Sequence, residues 1–104
     1  MKVVEIKKHG GPEVLYIGSR PVPKPKKNEV LVKVKAAGVN RPDILQREGN
    51  YPPPKDERDI LGLEVSGEVV ELGEKTKNIK IGDKVCALVS GGGYSEYCLA
   101  PYSQ

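Results

Sequence analysis

Glu29-Val30-Leu31-Val32-Lys33-Val34-Lys35-Ala36 is the stretch that decides the fold. Over its second half Val32, Val34 and Ala36 alternate one for one with Lys33 and Lys35. Successive side chains of a strand point to opposite faces, so this alternation specifies a strand with one face in a core and the other in water. Immediately beyond it the pattern changes. Asn40 is a residue of the helix N-cap type, Pro42 suits a first helical turn, Asp43 complements the positive helix end, and Gly49 is a stop. One strand running into one short helix over 40–49 is therefore predicted.

On the N-terminal side, 1–6 and 14–18 are two strand-length runs rich in β-branched residues, separated by the turn signal His9-Gly10-Gly11-Pro12, and they are expected to pair. Between them and the deciding strand, Pro21, Pro23 and Pro25 remove backbone donors at alternate positions, which leaves an extended surface connection. On the C-terminal side, Pro52-Pro53-Pro54 makes a rigid loop after Tyr51. Ile60 to Leu72 reads as one strand, Ile81-Gly82-Asp83-Lys84 as a turn, 85–89 as a strand, Gly91-Gly92-Gly93 as a flexible loop and 94–99 as the last strand. There are no repeats and no low-complexity tract.

A chain of 104 residues makes one domain. At that size a core is affordable but a deep cleft between two lobes is not, so a large ligand would sit on one face or against a partner. With 12 Gly, 9 Pro and neither Phe nor Trp, the core must come from Val, Leu and Ile in a β-rich fold. The balance of 17 basic against 14 acidic residues is a weak nucleic-acid signature, and no aromatic platform for stacking accompanies it. Lys24, Lys26 and Lys27 fall in the proline-rich connection and read as solvated. Neither nucleic acid nor a membrane is expected as a partner, since no apolar run approaches the roughly 20 residues of a spanning helix. Two cysteines and a charged N-terminal strand in place of a signal peptide point to the reducing cytoplasm.

Most familiar chemistry lacks its parts. His9, Cys86 and Cys98 have no zinc spacing, and the two thiols read as small apolar groups in strands. The glycine triplet is followed by a strand pattern rather than a helix, so it is no dinucleotide fingerprint. The single imidazole has no nucleophile in an elbow motif. What remains is Asn40, Arg41, Asp43, Gln46, Arg47 and Tyr51, then Glu64. Spacing alone makes these a capped, solvent-facing helix with an exposed loop behind it. Tyr51 stands apart, because a rigid proline loop can hold a phenol at a pocket edge where it orients a carbonyl.

Three segments carry a family resemblance: Gly38 to Pro54, with Asn40-Arg41-Pro42-Asp43 and Gln46-Arg47-Glu48-Gly49-Asn50-Tyr51; Ile60 to Val69; and Ile81 to Val85. In this order they resemble the zinc-independent, zeta-crystallin-like quinone oxidoreductases of the medium-chain dehydrogenase/reductase superfamily. The resemblance implies a mainly β, GroES-like, partly open barrel over 1–104 with one short helix near 40–49. In zinc-dependent relatives a cysteine ligand takes the place of Asn40 and a histidine ligand that of Leu63, so no metal is expected.

The family transfers a hydride from NADPH to a quinone or a conjugated carbonyl (an enal or enone) held between this domain and a Rossmann domain. By that likeness Asn40 and Tyr51 are the catalytic donors toward the carbonyl oxygen, and Asp43 and Glu64 line the substrate pocket. The sequence stops at Ala100-Pro101-Tyr102-Ser103-Gln104, where the family would enter its Rossmann domain. No cofactor-binding residues are assigned, and NADPH is not expected to bind this chain alone. Uncovered apolar surface suggests a Rossmann-domain partner or self-association. The competing expectation is a stand-alone GroES-like binding module without catalysis.

Overall fold

A computed structural model describes residues 1–49 and 60–103. The alternating segment forms β3 (Glu29–Ala37), an inner strand of an antiparallel four-stranded sheet. Beside it lie β4 (Glu64–Leu72) and β6 (Tyr97–Pro101), and β5 (Lys84–Leu88) pairs with the far side of β4. The register sets Val32 opposite both Val69 and Cys98, and Val30 opposite Ala100. Val32, Val69 and Cys98 are wholly buried, while Lys33 and Lys35 on the other face stay exposed. Full burial of such a valine contributes about 1.5–3 kcal/mol, which is why Val32 faces inside; Val34 is half-buried, and a register shift between it and Ala36 leaves Ala36, expected on the same face, exposed.

The two N-terminal runs pair as expected: β1 (Lys2–Ile6) with β2 (Leu15–Ser19), antiparallel. Val3, buried, bridges to Ser95, and the Val4 N–H donates to the Tyr94 carbonyl, tying this ribbon to the main sheet. The proline-rich connection carries no regular structure. The helix α1 (Arg41–Glu48) forms between β3 and β4, so the described chain is mainly β with one helix, in two sheets that do not close.

Two strand boundaries differ from expectation. The strand expected from Ile60 begins only at Glu64, and the one expected from Tyr94 begins only at Tyr97. The residues cut from both strands bond to each other's neighbourhood instead. Gly92 donates to the Ile60 carbonyl at 2.8 Å, Tyr94 to Leu61 at 2.9 Å, Gly93 to Gly62 at 3.0 Å and Val89 to Leu63 at 2.7 Å. Gly62 makes this possible with φ +106°, a conformation that side-chain-bearing residues rarely adopt. The glycine triplet is accordingly a buried, hydrogen-bonded turn.

A Cβ on Gly62 would stand 2.6 Å from the Tyr94 nitrogen and 2.7 Å from the Gly93 Cα, whereas one on Gly82 (φ +96°) would meet nothing within 4 Å. Gly62→Ala is expected to destabilise by about 2–5 kcal/mol, left-handed strain plus overpacking, and Gly82→Ala by about 1–2 kcal/mol from strain alone. Urea unfolding of both variants checks the ordering, and equal losses would contradict it.

Candidate functional site

The site grows from the start of α1. Asn40 is extended (φ −124°, ψ 161°), and Asp43, three residues on, turns its carboxylate back so that Oδ2 accepts the Asn40 backbone N–H at 3.0 Å. This is the return half of a capping box, with the acid in the place where it also meets the positive end of the helix. Gly49 ends the helix at φ +88°. Arg47 fastens its last turn, its Nε donating to the Gly10 carbonyl and its own carbonyl accepting from the Gly10 N–H.

The reciprocal half, from the Asp43 backbone N–H to the Asn40 side chain, completes the box and leaves the Asn40 amide nitrogen for a partner outside the helix. This Nδ2 donates to Glu64 Oε1 at 3.3 Å. The Gly38 N–H donates to the Glu64 carbonyl at 2.9 Å, which draws the end of β3 and the start of β4 together beneath this pair. Both side chains are exposed. Asn40, Asp43 and Glu64 thus converge on one end of the sheet. Tyr51, expected as a second donor, lies outside the described residues, as does the proline loop after it.

Asp43 differs from the solvent-facing position that spacing gave it. It is only 2% exposed, and Gln46 on the same face is also buried. Its Oδ2 accepts a second hydrogen bond, from the Tyr94 hydroxyl at 2.7 Å, while Oδ1 is buried without a partner. Burial, the hydrogen bond to Asp43 and that carboxylate's charge push the Tyr94 phenol well above its ordinary range, against an opposing pull from Arg47. A cavity of about 150 Å³ opens here, lined by Asp43, Arg47 and Tyr94 together with Leu15, Val39, Ile44 and Leu61. Sequence reasoning missed Tyr94, absorbing it into a strand. The usable signal was the three glycines before it, which let the backbone approach Gly62 closely enough to bring the phenol under the helix.

Among the described residues no three His, Cys, Asp or Glu side chains stand together as a metal site. The Cys86 thiol is exposed, and that of Cys98 is buried with its Sγ donating to the Leu99 carbonyl at 3.4 Å. The two places where a dinucleotide phosphate would ordinarily be held, the glycine turn and the amino end of α1, have their donors engaged. The amides of Gly92 and Gly93 are already bonded to carbonyls of 60 and 62, and the amino end of α1 already holds the Asp43 carboxylate, so neither offers a cradle to a phosphate.

Residues 26–104 match the family model of the alcohol dehydrogenase GroES-like domain. Quinone oxidoreductase from Lama guanicoe is 39% identical over 102 residues, covering 96% of this chain and 31% of the relative. The crystal structure of Escherichia coli quinone oxidoreductase complexed with NADPH superposes with a TM-score of 0.85 at 38% identity, over 97% of this chain and 31% of that one. The human synaptic vesicle membrane protein VAT-1 homolog-like protein gives 0.88 at 34% identity, over 97% and 32%. The chain therefore spans about a third of the length of the proteins it matches.

Removing the phenol hydroxyl strips a charge-assisted hydrogen bond from a buried carboxylate, so Tyr94→Phe is expected to lose about 1–3 kcal/mol at pH 7. The phenol's raised value in the folded chain means that the unfolded chain releases its proton first, near pH 10. Stability from this group is complete below that pH and falls above it. The gap between wild type and Tyr94→Phe should narrow as pH rises past about 10, in denaturant titrations at each pH; a constant gap would contradict the assignment.

Proposed function

The chain belongs to the alcohol dehydrogenase GroES-like domain family, and from that premise we propose that it is the substrate-side domain of a zinc-independent, NADPH-dependent quinone oxidoreductase. The observation that carries the proposal is the Asn40–Glu64 pair. An amide nitrogen has two N–H groups; Glu64 engages one and fixes the plane of the amide, leaving the second to face a carbonyl oxygen. As hydride arrives at a quinone or conjugated carbonyl, negative charge grows on that oxygen, and a preset donor lowers the barrier by meeting it. Bound NADPH would supply the hydride from a Rossmann domain, which the threefold greater length of the relatives accommodates.

Tyr51 is the second donor in this proposal and Asp43 the buried support of the first. A metal-free pocket agrees with an amide at Asn40 and a hydrocarbon at Leu63, neither of them a zinc ligand of the usual kind. The proposed setting is the reducing cytoplasm, which an exposed thiol at Cys86 suits. The second reading, a binding module without catalysis, draws on the likeness to the human VAT-1 homolog-like protein, whose name states no reaction.

The test replaces the matching third of the Escherichia coli quinone oxidoreductase with this chain and follows NADPH oxidation by a benzoquinone. Turnover is expected, with Asn40→Ala lowering kcat about 10²–10³-fold, the worth of one preorganised donor. A chimera that folds and binds NADPH yet reduces nothing would overturn the enzyme reading in favour of the binding module. The isolated chain is expected neither to bind NADPH in a fluorescence titration nor to oxidise it.

A further inference from the structure

We infer that Tyr94 is a positioning residue for Asn40, acting through Asp43; the inference rests on the reading of Asn40 as the donor that faces the substrate. Two hydrogen bonds meet on one atom. Asp43 Oδ2 accepts the Tyr94 hydroxyl at 2.7 Å and the Asn40 backbone N–H at 3.0 Å, and the Asn40 side chain continues the line to Glu64 at 3.3 Å. Among the described residues the Tyr94 hydroxyl bonds to Asp43 and not to Asn40 or Glu64, so its influence on that pair passes through the carboxylate.

The phenol is a fixed reference point. Its backbone is bonded on both sides, the N–H to the Leu61 carbonyl and the carbonyl to the Val4 N–H, each at 2.9 Å. The carboxylate, by contrast, has a broad, roughly two-fold torsion at its end, and its other oxygen has no partner to hold it. Tyr94 is thus what selects the oxygen presented to Asn40 and the direction from which it comes. Without the hydroxyl, a carboxylate that is 2% exposed retains a single donor. Such a group relaxes by turning toward the adjoining 150 Å³ cavity. That turn loosens the cap, and with it the backbone from which the Asn40 amide is aimed.

Nuclear magnetic resonance of this chain tests the relay without NADPH or quinone. In the wild type a scalar coupling across the hydrogen bond between the Asn40 amide nitrogen and the Asp43 carboxyl carbon is expected. In Tyr94→Phe the Asn40 backbone N–H should exchange about tenfold faster, the worth of one hydrogen bond, and its side-chain amide signals should move toward their unfolded positions. Val32 and Val69 amides should keep their protection, and Tyr97→Phe should leave Asn40 unmoved. An absent coupling overturns the inference even if the variant fails to fold, as does an unchanged Asn40 in a folded variant. In the chimera, Tyr94→Phe should lower kcat without weakening NADPH binding, and should add nothing to the loss from Asn40→Ala; additive losses would overturn it. A chimera inactive from the start removes the reductase reading, while the resonance data still decide the relay.

Discussion

The contact on which the rest of this structure depends is the backbone packing of 60–63 against 89–94. Four hydrogen bonds link the two segments, and they require Gly62 to hold a left-handed conformation with its α-carbon pressed on Gly93. From that contact the other features follow in order. It keeps Ile60 and Leu61 in the interior, sets the point at which β4 can begin, and delivers Tyr94 beneath α1. Main-chain bonds of this kind saturate groups that would otherwise be stranded in an apolar interior, where each lost partner costs about 1–3 kcal/mol. The segment is therefore as firmly placed as the sheet, although it belongs to no strand.

The same contact explains what could and could not be seen in the sequence. The Val32–Lys33–Val34–Lys35 alternation answers to a local rule, the two-residue period of a strand, and so it reported β3 and the inward Val32, but a register shift between Val34 and Ala36 leaves Ala36 exposed, and Leu31 on the lysine face is buried. Asn40, Pro42, Asp43 and Gly49 likewise obey helix-end chemistry that operates within a few residues, and α1 appeared where they placed it. Ile60–Leu63 and Tyr94–Glu96 read as strand because their apolar and aromatic content fits a strand, while their actual partners lie far off in the sequence, 60–63 against 89–94 and Tyr94–Glu96 also against Lys2, Val3, Val4 and Val34. The burial of Asp43 was invisible for a related reason. An acid near the start of a helix has a sufficient local explanation in the helix dipole, and only the long-range arrival of Tyr94 takes it inside.

Charge placement at the site follows from desolvation more than from pairing. A buried carboxylate is tolerated when donors surround it, and here both donors converge on one oxygen. Arg47 is the nearest candidate for an ion pair, lining the same cavity, but it directs Nε to the Gly10 carbonyl and an Nη to Glu48 at 3.7 Å. Its positive charge opposes the upward push on the Tyr94 phenol. A direct pair would have satisfied Asp43 more completely, but would have taken Arg47 from the staple that holds α1 to the β1–β2 turn. The orphaned Oδ1 is the consequence of that division.

Aiming a hydrogen-bond donor is harder than aiming a metal ion, and this bears on why the cap of α1 is built as it is. A metal draws a carbonyl oxygen over a wide range of approach angles, since its field is that of a point charge. An amide N–H weakens steeply as it turns from its acceptor. A donor at Asn40 therefore needs its backbone held by something other than its own side chain, whose nitrogen must remain available. In an ordinary N-cap the asparagine side chain folds back onto the helix through its oxygen. Here the Asn40 side chain keeps its half of the capping box, Asp43 holds the Asn40 backbone N–H, Tyr94 fixes Asp43, and the amide nitrogen is left to extend outward to Glu64. A buried acid and a half-buried phenol behind the helix are the structural requirement for an exposed amide with a set direction in front of it.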